Sequence, residues 1–383
     1  MTLTELSIAT KKFAFWFVVA ILSFYTLKFV FIKAKALYLT LNPPKLPPAE
    51  ASFGSVPSLK FNTLNFSEGS FPEYVLDTKT GTLPAFPDRA FVYRLAIPYP
   101  RITAEKEAKE FGKSVNFWWS PAKKSLIEFT WESEENKNLY FNIATKNIVL
   151  ETTSEYLSEN LLVGSGLFSI DAQNKAQDFL RNRGFLGEDL LNTDIKTAYV
   201  RAGRAGLYET INYLQANLVR VDFYRKAKIN EDTEALVYGE NPATALVSVF
   251  VGNPSDYEKR NDILLTYPIF YYNNPAILLE KSTYPIIPIE KAWDFVKNGG
   301  GAVVYLKGNT NNFYDGYKLL KVAKMEMRDV GLAYYQPKDP APFLQPIYVF
   351  EGVFTTTEKE SGTFYIYVQA LDSQNIMDYP DLR

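Results

Sequence analysis

The segment IIPIEKAWDF, residues 286–295, carries the pattern from which the fold is read. Ile286 is followed six residues later by Ala292 and three after that by Phe295. Ala292 and Phe295 share one face of a helix, and Ile286 stands near its start, where it can staple. The same pattern occurs at Ile102/Ala108/Phe111 and at Ile170/Ala176/Phe179. Thr103 and Asp171 supply caps in the first two copies, and Pro288 occupies a first-turn position in the third, where a missing N–H does no harm. Gly112, Gly184 and Gly299 supply stops. A small Ala lets each helix sit close to a sheet, and the Phe fills the space beside it.

Alternating, aromatic-rich stretches follow each copy and read as strands. After the first come residues 125–131, 139–143 and 147–152. After the second come 195–201, 207–215, 218–226, 243–251 and 263–272. After the third come 301–306, 319–335, 343–354 and 363–370. The fold class that follows is α+β, a helix on an antiparallel sheet three times over, behind an N-terminal transmembrane helix.

That membrane helix is read from residues 13–32, an apolar run from Phe13 to Ile32 broken only by Lys28. Its length matches the roughly 30 Å hydrocarbon core of a bilayer. Ala34-Lys35-Ala36 has the look of a cleavage site, but a signal peptide's apolar region spans only about 7–15 residues. An uncleaved anchor is therefore expected, and a lipoprotein is excluded because the chain has no cysteine. Lys11 and Lys12 before the run nearly balance Lys33 and Lys35 after it, so charge alone leaves orientation open. The divisions expected are a cytoplasmic N-terminus (1–12), the membrane helix (13–32) and a Pro-rich spacer (33–52). Three helix-plus-sheet units follow, at 53–160, 161–284 and 285–383.

Composition narrows function. The chain has 41 basic and 43 acidic side chains, and residues 36–383 carry a net charge of −6. A mildly acidic body argues against nucleic acid as a partner. Histidine and cysteine are both absent. That removes Ser-His-Asp and Cys-His catalysis and the usual zinc ligand sets. No enzyme activity, cofactor or metal is expected. Any chemistry would have to run on carboxylates, a Ser-Lys pair, Tyr or a borrowed cofactor.

A family resemblance enters with the last unit. PIEKAWDF (288–295) leads to MRDVGLAYY (327–335) and then to FLQPIYVFEG (343–352). This order resembles the PepSY-like modules of the YycH/YycI regulator proteins, best over about the last 90 residues. The resemblance implies one N-terminal membrane helix, the N-terminus inside and an extracytoplasmic body of repeated helix-plus-sheet units. It also implies action through contact with a membrane sensor kinase or a peptidase. It offers no catalytic residues to carry over.

Short motifs that suggest chemistry have plainer readings. Ser120-Pro-Ala-Lys123 matches S-x-x-K and Lys79-Thr80-Gly81 matches K-T-G, but their order is inverted relative to penicillin-recognising enzymes. Gly299-Gly300-Gly301 follows its helix, where a phosphate loop would precede one. Residues 309–312 with Asp315 have too few carboxylates for Ca²⁺, and residues 231–234 read as a solvated turn. The aromatic stretch 267–272 is either a partner-gripping face or a sheet covered by a helix. The proline-punctuated connection 336–342, with Tyr334, Tyr335, Gln345 and Tyr348 beside it, is the candidate partner-facing rim. The function expected is a membrane-tethered, extracytoplasmic, non-catalytic regulator. A structural component of a cell-envelope or secretion assembly is the alternative, and a carboxylate-based envelope hydrolase comes third.

Overall fold

The computed structural model describes residues 16–17, 21–31, 33–34, 50–133, 137–164, 167–191, 193–256, 258, 262–308 and 317–377. The chain divides into two compact units, residues 1–48 and 49–383. In the first, the described residues are helical, and Trp16, Leu22, Phe24, Leu27, Phe29 and Phe31 are all exposed. The expected cytoplasmic segment 1–12, part of the run 13–32 and most of the spacer 33–52 lie outside the described residues. Among the described residues no helix is long and apolar enough to cross a membrane.

The second unit is built mainly of strands. Its first half holds β1 (Val56–Pro57), β2 (Glu73–Leu76), β3 (Arg89–Leu95), β4 (Ala122–Lys123) and β5 (Glu128–Glu132). Next come β6 (Lys137–Asn142), β7 (Ile148–Thr152), β8 (Asp194–Gly203), β9 (Gly206–Thr210) and β10 (Leu218–Tyr224). The second half holds β11 (Lys226–Lys228), β12 (Glu234–Tyr238), β13 (Val247–Gly252), β14 (Ile269–Tyr272) and β15 (Leu278–Pro285). It closes with β16 (Ala302–Gly308), β17 (Val322–Tyr335), β18 (Phe343–Thr356), β19 (Ser361–Gln369) and β20 (Ile376–Met377). Helices α1 (Ala104–Ser114), α2 (Ser169–Asn182) and α3 (Ile289–Lys297) lie between them, with a few shorter turns of helix.

These strands form three sheets. The first is antiparallel, in the order β4-β5-β6-β7-β14-β13-β10-β8-β9. The second runs β11-β12-β17-β18-β19-β16, with β2 pairing β17 and β3 pairing both β18 and β15. A parallel pair, β1 with β20, makes the third.

This corrects the expected fold class. The described residues form a mostly β protein with three sheets and no membrane-crossing helix, not an α+β chain of repeated units. The physical reason is long-range pairing. β7 pairs β14, so the sheets expected to follow the first two helices are one sheet. β2, β3 and β12 likewise join the sheet expected to belong to the last helix alone. Local periodicity reports which face of a strand is apolar, not which strand it will pair with.

The helix faces follow the expected pattern in part. Ala108, Ala176 and Ala292 are fully buried. α1 and α2 press Phe111 and Phe179 onto Val219, Val221, Val249 and Phe270 of the first sheet. Ile102 and Ile170 are exposed, however, so neither acts as a staple. In α3 the buried stripe is Ile289, Ala292, Trp293 and Val296. Phe295 is 54% exposed and lies over Gly300, where a Cβ would meet its ring at 2.5 Å. Gly112 remains inside α1, where Trp131 comes within 3.2 Å of where its Cβ would be.

Ala292→Asp is expected to destabilise the protein by about 3 kcal/mol or more, since it buries a charge under α3. Lys291→Asp, on the exposed side of the same turn, should leave the urea midpoint nearly unchanged. Equal shifts from the two would place the buried face of α3 elsewhere.

Candidate functional site

The four side chains expected to form a partner-facing rim lie in the interior. Tyr334, Tyr335, Gln345 and Tyr348 are each no more than 2% exposed. The Tyr334 hydroxyl lies 2.8 Å from the carbonyl oxygens of Phe91 and Lys228. Tyr348 donates to the Ile287 carbonyl at 2.7 Å. Gln345 donates to the Pro57 carbonyl at 2.8 Å and accepts from Gln369 at 2.8 Å. Tyr335 packs edge-on against Phe61 and Tyr367. A rim of these side chains is therefore withdrawn, for a physical reason. β17 and β18 are central strands, so alternation turns each residue from one covered face to the other.

Burial also governs their ionisation. It pushes the Tyr334 and Tyr348 hydroxyls well up and raises Tyr335 to about 12. Tyr93, Tyr238 and Tyr305 reach about 12 for the same leading reason.

Other sequence candidates resolve structurally. Lys123 of the S-x-x-K match pairs with Glu105 at 3.2 Å. Gly81 of K-T-G sits at φ +68° in a turn, and Gly299 and Gly301, at +81° and +82°, end α3 and turn the chain into β16. Glu231 pairs with Lys281 at 2.7 Å. Residues 309–315 lie outside the described residues. In the stretch 267–272, Phe270 and Tyr272 are buried and the Tyr267 hydroxyl donates to the Lys175 carbonyl of α2, which makes it a covered sheet face.

A buried pair of charges on β10 is among those that escaped the sequence reading. Arg220 and Asp222, on one face of β10, are 5% and 2% exposed and bonded at 2.7 Å. Arg220 also reaches Glu209 at 2.6 Å and the Ala243 carbonyl at 3.2 Å, while Ser248 donates to Asp222. Every partner is internal, so this is a structural network. Its only signal was a charge alternating with Val in LVRVDF (218–223).

Among the described residues, a groove of about 180 Å³ lies where the ends of the two large sheets meet. Its walls are residues 95–99 with Arg101, the β6–β7 hairpin turn 144–147, the crossover 274–277 and the connection 336–341. The proline-punctuated loop singled out above therefore forms one wall, although its neighbouring tyrosines do not. Pro98, Pro275, Pro337 and Pro340 stiffen these walls, because proline fixes φ. Ile97, Tyr99 and Ile277 are 80%, 73% and 60% exposed at its margin.

Three half-buried amides tie the walls together. Asn147 Oδ1 accepts from the Asn274 backbone N–H at 2.9 Å, and Gln336 Nε2 donates to the Asn274 carbonyl at 3.1 Å. Tyr272 donates to Asn274 Oδ1 at 3.3 Å. Each amide is thus fixed by one end. Asn147 Nδ2, Asn274 Nδ2 and Gln336 Oε1 have no partner among the described residues. Two amide NH2 groups and one amide oxygen can meet the carbonyls and an N–H of an extended peptide backbone. Lys146 is held by Glu107 at 2.7 Å, an ion pair that keeps the Glu107 carboxyl below its usual range.

Tyr348→Phe should cost about 1–2 kcal/mol in urea unfolding, because the Ile287 carbonyl loses its donor. Tyr348→Ser should cost about 3–5 kcal/mol, the range for emptying a buried aromatic site. The alkaline response follows from the raised tyrosines. Unfolded tyrosines lose their protons near pH 10, while the folded ones hold theirs to about 12. Stability is therefore full below about pH 10 and falls as pH rises from 10 through 12. Absorbance at the tyrosinate band, followed alongside circular dichroism, checks that the two changes coincide.

No protein family matches the chain, and no curated protein does either. Among solved structures, an uncharacterized protein from Eubacterium rectale is similar over 73% of this chain and 82% of its own. That similarity is at 11% identity and a TM-score of 0.35, too slight to bear on fold or function.

Proposed function

We propose that this is a non-catalytic interaction protein that holds an extended segment of a protein partner in the proline-walled groove. The carrying observation is the row of Asn147, Asn274 and Gln336, with free donors and an acceptor between rigid apolar walls. Preformed walls lower the ordering cost of binding, so a short segment suffices.

The same proposal places the protein at a membrane, held by the run 13–32, with its body on the extracytoplasmic side. Support comes from the apolar length of the run. It also comes from the exposed Phe24, Leu27, Phe29 and Phe31 on its described helical part, a surface unsuited to water. A regulatory role, exercised by holding a sensor kinase or a peptidase, is the form of this reading that the family resemblance favours.

A photo-crosslinking residue at Tyr99 or Ile277 should capture one partner in cells, while the same residue at Phe71, 90% exposed and outside the groove, should capture none. Capture from Phe71 alone, or from no position, would defeat the groove as the partner site. Deleting residues 13–32 should move the chain to the soluble fraction. External protease should digest the body of the intact chain once any outer layer is stripped. Full protection of the body would place it inside the cell.

A further inference from the structure

We propose that the segment held in the groove is an acidic peptide, with carboxylates set among proline or aliphatic residues and one of them seated by Arg101 and Lys338. This rests on the groove being the partner site. Of the four charged side chains lining it, Arg101, Lys146 and Lys338 are basic and Asp339 is acidic. Lys146 is already committed to Glu107. Arg101 and Lys338 stand exposed on two different walls, and neither makes an ion pair among the described residues.

The setting sharpens the contrast. Residues 36–383 carry a net charge of −6, so an acidic ligand is repelled by the body as a whole and drawn to a local excess of positive charge. Carboxylates have five guanidinium donors at Arg101 and an ammonium at Lys338 to meet. Between them the peptide backbone meets the free Asn147 and Asn274 donors and the Gln336 acceptor. Ile97, Pro98, Pro337 and Pro340 offer only apolar surface, which suits proline or aliphatic side chains and gives polar ones nothing to bond.

The test uses the full chain in detergent and three labelled peptides of one design, Leu-Pro-X-Leu-Pro-X-Leu, with X as Glu, Gln or Lys. Fluorescence anisotropy should show the Glu peptide binding about tenfold more tightly than the Gln peptide, a difference that high salt erases. The Lys peptide should bind weakest. Arg101→Gln with Lys338→Gln should bring the Glu peptide down to the level of the Gln peptide and leave the Gln peptide unchanged. Asp339→Asn should strengthen the Glu peptide alone. All three substituted positions are exposed, so the thermal midpoints should stay together and serve as the folding control.

Equal affinity for the Glu and Gln peptides would overturn the acidic preference while leaving the groove as a peptide site. Failure of the Glu peptide to bind, with capture still seen from Tyr99, would overturn the occupant and keep the site. Failure of both peptide binding and capture from Tyr99 would remove the groove reading itself.

Discussion

One antiparallel pair, β17 with β18, is the constraint on which the second large sheet and the groove depend. Its register runs from Val322 opposite Thr356 to Tyr335 opposite Gln345. β17 holds β2 along one end of its free edge and β12 along the other, and β18 holds β19 and β3. Tyr334, Tyr348, Phe350 and Phe354 enter one core while Tyr335, Ile347 and Val349 enter another. A slip of one residue would exchange those two sets, so register is specified from both sides at once. The connection 336–342 inherits that rigidity. Its prolines cannot extend the ladder. Its ends are pinned where Gln336 donates to the Tyr238 carbonyl and Leu95 donates to that of Pro342.

The first sheet is held in register differently. Asp222 stands opposite Ser248, and Arg220 links Asp222 to Glu209 on β9. Taking such charges out of water costs several kcal/mol, which their mutual attraction recovers only when the hydrogen bonds are complete. Here they are complete on one face of the sheet. On the other face the same charges would meet Val219, Val221 and the apolar sides of α1 and α2. The network therefore penalises misregistered pairing more than it stabilises the correct one.

Much of the local structure was legible in the sequence, and most of the global arrangement was not. The helices around Ala108, Ala176 and Ala292 were visible because a period of 3.6 is a local signal. Phe295 misled because the motif treated Ala and Phe as a fixed pair, whereas Trp293 and Val296 complete the buried stripe of α3. Merging of the early strands into one sheet was invisible, since the partners β7 and β14 lie more than a hundred residues apart. The prolines of 336–342 marked a loop that forms one wall of the groove. Tyr334, Tyr335, Gln345 and Tyr348 were read as a partner-facing rim beside that loop, but both faces of β17 and β18 are covered there. Asn147, Asn274 and Gln336 carried no signal, because their meaning depends on three distant turns converging.

The clasp between β1 and β20 has a topological consequence. Val56 lies opposite Ile376 and Pro57 opposite Met377, in parallel. Among the described residues, the first and last strands of the second unit are therefore neighbours, and the pairing closes the path between them into a circuit. Neither strand can form until the other is in place, so the circuit closes only after the intervening chain has been assembled. The circuit could be reopened at another exposed turn, and its old ends joined, without changing which strands are paired.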